Sequence, residues 1–106
     1  MSVNPWAGEV ELVIDGIAHR LKLTLGALVE LEDQLEDDTL IGLVERLEAG
    51  RFSTRDVLAL IVAGLRGGGW TGTAQDLLQA DIEGGALHAA KTAGVLLARS
   101  FGTTGA

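Results

Sequence analysis

The sequence has no cysteine and no tyrosine, a single proline, and only two tryptophans and two phenylalanines among its 106 residues. Without thiols there is no disulfide framework, no thiolate nucleophile and no cysteine-based zinc site, and a reducing compartment is the expected setting. With so few rings, the core has to be assembled from the Leu, Val, Ile and Ala that dominate a 47% hydrophobic content, which favours packed helices. The opening MSVNPWAGEVE has no basic segment followed by an apolar one, and Ser2 stands where N-myristoylation needs glycine. No export signal or lipid anchor is therefore expected. The longest apolar run, Val57 to Leu65, is about half of the roughly 20 residues a membrane helix requires and reads as core.

Basic residues are also missing, from one particular place. Between Lys22 and Arg46 there is none, while Glu30, Glu32, Asp33, Glu36, Asp37, Asp38 and Glu45 all fall in that span and account for the whole net charge of −7. Such a face repels phosphate backbones and anionic lipid, so nucleic acid and membranes are excluded as its partners. Its plainest reading is a solvated surface that keeps the chain soluble.

What is present reads as one domain over residues 1–106, of α+β class but predominantly α: an N-terminal arm (1–7), a β-hairpin (8–23), a bundle of four or five helices (24–101) and a frayed tail (102–106). In EVELVIDGIAHRLKL, Asp15-Gly16 suits a two-residue type I′ turn. That turn sets Ile14 opposite Ile17, Leu12 opposite His19 and Val10 opposite Leu21, with Glu11 facing Arg20 and Glu9 facing Lys22. Thr24 caps a helix to about Glu36 striped with Leu25, Leu28, Leu31 and Leu35. Asp38 or Thr39 starts a second helix carrying Leu40, Leu43, Val44 and Leu47, which Gly50 ends. Ser53 and Asp56 form an acidic capping box for a helix from Thr54 to about Arg66, apolar nearly all round and hence central. Thr73 and Asp76 repeat the cap for a short helix to about Gln79. A last helix, from about Ile82 to Phe101, carries Ala86, Ala90, Ala93, Gly94, Leu97 and Phe101 on one face.

Signals for chemistry are weak. Gly67, Gly69 and Gly72 match G-x-G-x-x-G, but a helix precedes them where a dinucleotide site needs a strand, so a flexible linker is expected. Neither His19 nor His88 is followed by Glu or Asp at i+3 or i+4, as a helical metal site would need, and each has a structural reading, His19 on the apolar hairpin face and His88 in an alanine-rich helix. The run from Asp37 through Gly42 to Glu48 has the outline of a calcium loop, yet Thr39 and Ile41 occupy ligand positions and the segment reads as helix. Neither nucleophile nor oxyanion hole is evident, and the expectation is a non-enzyme without cofactor or metal. Trp6 and Trp70 sit in loops, where an indole either pins its loop to the core or anchors a partner.

Three segments, GEVELVIDGIAHRLKLTLGALVELED, LVERLEAGRFSTRDVLALIVAGLRGGG and LLARSFG, together resemble the small tail protein of gene transfer agents, a group related to the tail-assembly chaperones of long-tailed phages. The resemblance spans nearly the whole chain. It implies a tail-assembly protein that binds the tape-measure protein, recruits tail-tube subunits and acts in the cytoplasm, with no catalytic residues to carry over. The same family is also described as tail tube protein, which implies instead a structural component of the virion tail; tube subunits of that kind generally close rings through an extensive β-sheet and only two strands are legible here, so the chaperone is the preferred expectation and the structural component its alternative. A generic acidic protein-binding module is the remaining alternative, and a homo-oligomer is compatible with each. Under the chaperone reading the expected partner-binding residues are Trp6, Val10, Leu12, Leu21 and Trp70, forming an apolar groove.

Overall fold

Asp15 and Gly16 adopt φ of 52° and 78°, the two left-handed conformations a type I′ turn demands. A computed structural model describes residues 8–35 and 39–100, and in it this turn joins β1 (Val10–Ile14) directly to β2 (Ile17–Leu21). The register is the one the charge pairing requires, with Val10 opposite Leu21, Glu11 opposite Arg20, Leu12 opposite His19 and Ile14 opposite Ile17. The buried face belongs mostly to β1, through Val10, Leu12 and Ile14, while β2 contributes Leu21 and leaves Ile17 exposed.

Among the described residues five helices follow, each opened by the residue chemistry its N-terminus needs, except the last. Thr24 Oγ1 accepts from the amide of Ala27 to start α1 (Leu25–Gln34), and Thr39 does the same from Gly42 for α2 (Leu40–Glu48). Gly50, at φ 72°, ends α2 in the left-handed conformation. Both capping boxes are complete. Ser53 with Asp56 starts α3 (Thr54–Gly67), and Thr73 with Asp76 starts α4 (Ala74–Leu78). α1 closes at Gln34 with Leu35 as its C-cap, short of the expected end at Glu36, a residue outside those described.

The last helix departs from expectation at its start. Ile82 pairs with Ile14 as a third, single-residue strand: Asp15 N–H donates to Asp81 O at 2.8 Å and Glu83 N–H to Val13 O at 3.0 Å. Asp81 N–H completes the junction by donating to Asp15 Oδ1 at 2.9 Å. Gly84 and Gly85, at φ 87° and 73°, then turn the chain in a way that L side chains resist. Only after them does α5 (Gly85–Ser100) begin. Its buried face is Ala89, Thr92, Ala93, Leu96 and Leu97, so Ala86, Ala90 and Gly94 lie off it, and Phe101 is outside the described residues. Thr92 is accommodated in the core because its hydroxyl donates to His88 O within the helix.

α3 is central. Its residues Ala59 to Leu65 are buried without interruption, and α1, α4, α5 and β2 all pack on it, with α5 also covering β1 and α2 lying against α1. Leu60, Ile61 and Leu65 meet Leu12, Leu21, Leu31, Leu43 and Leu96 as the fully buried large side chains of one cluster. On α1 Ala27 and Leu31 are buried and Leu28 and Leu35 pack half-buried against the same core, whereas Leu25, expected on that stripe, is 79% exposed.

The glycines after Leu65 are not a flexible linker. Lys22 N–H donates to Gly64 O at 2.9 Å, binding the end of β2 across the last turn of α3. A Cβ on Gly67 would overlap the carbonyl oxygen of Lys22, and one on Gly68 that of Arg20. The α-hydrogens of Gly67 and Gly68 allow a strand backbone to lie directly on a helix end.

Candidate interaction surface

Three of the residues expected to line an apolar groove, Val10, Leu12 and Leu21, lie in the core instead. Val10, Leu12 and Leu21 are 8%, 1% and 0% exposed, because α5 and α3 cover the hairpin face they share. They hold the hairpin to the bundle, and a partner could reach them only by displacing helices. Trp6 lies outside the described residues. Trp70 is half-buried: its N–H donates to Leu65 O at 2.9 Å, and its ring lies over Gly72, where a Cβ would collide with the indole. It packs on the edge of the core and forms the wall between two shallow surface depressions, one beside His19 and Arg20 and the other beside Thr24 and Glu30.

Beside that second depression, Arg66 ties three segments together. Its Nε donates to Glu30 Oε2 at 3.3 Å and its Nη1 to Gly72 O at 3.3 Å, while Nη2 lies 3.2 Å from Glu30 Oε1. The pair is solvent-exposed and contributes geometry more than stability. A second guanidinium, Arg46 on α2, binds Asp56 in fork geometry at 2.8 and 3.2 Å. Burial raises the Asp56 pKa, but the hydrogen bonds from Arg46 and Ser53 outweigh it and hold the carboxyl below its ordinary value. This carboxylate caps α3 and joins it to α2. Its perturbed pKa has a structural cause.

Among the described residues the histidines and carboxylates do not converge on one site. His19 is half-exposed on the hairpin and His88 is exposed in the first turn of α5. Among the described residues no group of three metal-ligating side chains converges. Asp37 lies outside the described residues, but Gly42 and Glu48 belong to the helix α2 rather than to an ion-binding loop. No helix among the described residues is long and apolar enough to cross a membrane.

The surface that sequence periodicity missed is apolar. Leu25 and Val29 on α1 are 79% and 56% exposed, and Leu87 and Val95 on α5 are 71% and 41% exposed. The signal was available in the small residues. Once Ala27 and Ala89 are taken as core positions, the helical period of 3.6 carries Leu25, Val29, Leu87 and Val95 to the outside.

No curated protein and no solved structure matches the chain. Residues 7–103 match the family described as phage tail tube protein, GTA-gp10. A match over nearly the entire length settles the family: the chain belongs to the phage tail tube proteins of the GTA-gp10 type.

Proposed function

We propose that this chain is a structural component of the tail of a phage-like particle, working through protein–protein contacts. The single observation that carries this reading is the family match over residues 7–103, whose description is that of a tail tube protein and not of an enzyme. The exposed apolar residues on α1 and α5 are in keeping with it, since large apolar side chains left in water mark contact surfaces when they recur on one helix face.

A second reading has its own observation. The described residues form one two-stranded sheet with a single added bridge, a small platform from which to close a β-sheet ring. On that ground the chain would act as a tail-assembly chaperone that binds the tape-measure protein, recruits tail-tube subunits in the cytoplasm and then leaves. Quantitative mass spectrometry of purified particles separates the two. A structural component is present in integral stoichiometry with the major tail proteins, whereas a chaperone is absent or present only in traces. Absence from particles, combined with co-purification of the chain with tape-measure fragments, would replace the first reading by the second.

A further inference from the structure

We propose that the peptide bond between Asp15 and Gly16 is a site of spontaneous aspartyl isomerisation, kept closed by the segment that carries Ile82, so that chains in which this segment is undocked become covalently marked at the hairpin tip. The reaction is an attack by a backbone nitrogen on the carboxyl that precedes it, and it is favoured where the following residue has no side chain to obstruct that nitrogen. Asp15 is the one aspartate in the sequence followed by glycine, since Asp33, Asp37, Asp38, Asp56, Asp76 and Asp81 precede Gln, Asp, Thr, Val, Leu and Ile. The single asparagine, Asn4, precedes Pro5, whose nitrogen carries no hydrogen. The chemistry therefore has one favoured position. Both of its residues are exposed, and nothing lies within 4 Å of where a Gly16 Cβ would stand.

Ring closure joins the Gly16 nitrogen to Asp15 Cγ; the amide hydrogen, one carboxyl oxygen and a proton from solvent leave as water. Water then adds back at either carbonyl of the imide. Addition at Cγ restores aspartate, whereas addition at the Asp15 main-chain carbonyl leaves the chain running through Cβ and Cγ, with a carboxylate on Cα, at unchanged mass and oxidation state. The fold opposes the first step in two ways. The first central residue of a type I′ turn has ψ near about 30°, which sets Asp15 Cβ and the Gly16 nitrogen on opposite sides of the Cα–C bond, while the imide needs them on the same side. Asp81 then grips the residue twice, its carbonyl accepting from Asp15 N–H at 2.8 Å and its N–H donating to Asp15 Oδ1 at 2.9 Å. Swinging Cγ onto the Gly16 nitrogen breaks the second contact and dissolves the turn. A hairpin alone is marginal in water, so the Ile14–Ile82 bridge, with Glu83 N–H on Val13 O, is what keeps the tip shut. Once isomerised, the tip has an extra main-chain atom and has lost the Asp15 carboxymethyl group, so the segment has nothing to redock on.

The test is peptide mapping of the purified full chain after prolonged incubation at neutral pH, native and in urea, with isoaspartate counted by methylation with an isoaspartyl methyltransferase and located by electron-transfer fragmentation. Native wild type is expected to isomerise at Asp15 at least about tenfold more slowly than the unfolded chain, because so slow a reaction follows the population of the open tip. Ile82→Ser, which loosens the segment and keeps its backbone, and Asp81→Pro, which removes the N–H that holds Oδ1, should each raise the native rate about threefold or more in protein that circular dichroism shows to be folded. Without any variant, amide exchange in the wild type should protect Glu83 N–H to the same extent, within about tenfold, as isomerisation at Asp15 is slowed. Equal rates in native and unfolded wild type overturn the proposal, as does more isoaspartate at another aspartate than at Asp15 in the unfolded chain. Folded variants that isomerise at the native wild-type rate overturn it too, and so does a Glu83 amide that exchanges freely while Asp15 stays protected, since the hairpin alone would then guard the bond.

Discussion

Replacing Gly67 by alanine should cost far more than replacing Gly94, although both sit in α-helices of the same protein. At Gly67 the new methyl would occupy the space of the Lys22 carbonyl oxygen, and restoring an ordinary contact of about 3.5 Å means lifting the end of β2 from α3. That movement breaks the Lys22 N–H to Gly64 O hydrogen bond, costing about 0.5–1.5 kcal/mol. It also disturbs the packing around the fully buried Leu21, costing about 1–3 kcal/mol as overpacking does elsewhere. The alanine recovers part of this through better helix propensity, about 0.5–1 kcal/mol. The net expectation is a loss of about 0.5–4 kcal/mol, centred near 2, which at that centre lowers the midpoint by about 8–16 °C for a domain of this size. Gly94→Ala meets nothing within 4 Å and should instead raise stability by about 0.5–1 kcal/mol. Urea and thermal unfolding of dilute protein, followed by far-ultraviolet circular dichroism, measure both. Amide exchange at Lys22 should accelerate in the Gly67 variant alone. If the two substitutions shift the midpoint in the same direction by similar amounts, β2 does not lie on the end of α3 and the reasoning fails.

Leu60, fully buried in the middle of α3, should lose about 2–5 kcal/mol on truncation to alanine, and a urea midpoint shift corresponding to less than about 1 kcal/mol would place α3 at the surface. The Asp56 carboxyl is held below its ordinary value of 3.8, so its contribution to stability is complete above that value and is lost as pH falls through the lower, folded-state value. Asp56→Asn should therefore cost about 0.5–2 kcal/mol at neutral pH through the weakened cap. The gap between wild type and variant should narrow between about pH 5 and about pH 2. A gap that is constant with pH in unfolding titrations would mean that the Arg46 contact does not stabilise the charge.

The hairpin and most helix starts were legible because their signals are local. Asp15-Gly16 dictates a turn, the Glu11–Arg20 pairing dictates a register, and Ser53 with Asp56 and Thr73 with Asp76 dictate caps, each within a few residues of chain. What was misread depends on partners far away in sequence. Nothing near Gly67 and Gly68 says that a strand will cross them, so three glycines read as a linker. Ile82 fits a helical pattern, and only the free edge of β1 beside Ile14 gives it a strand partner instead. On α1 the leucine stripe faces inward at Leu28, Leu31 and Leu35 and fails only at Leu25, and on α5 Ala93 and Leu97 are inward while Ala86, Ala90 and Gly94 lie off the buried face. Val10, Leu12 and Leu21 were assigned to a partner because the sequence does not say how completely α3 and α5 will cover the hairpin.

The junction between the hairpin tip and the segment before α5 sets the order in which the chain can fold as it is made. Asp15 and Asp81 are 66 residues apart, and Arg99, which donates to Glu9 O at 2.8 Å, is 90 residues from its acceptor. Early in synthesis the hairpin can form, since its own contacts are local and hairpins close in microseconds. Its apolar side then has to wait through the synthesis of four helices before α5 arrives to cover β1. During that interval, at roughly 5–20 residues per second, the strand edge that Ile82 will occupy is open to other chains. The hairpin, first in the chain, is thus the last element to have its sheet completed.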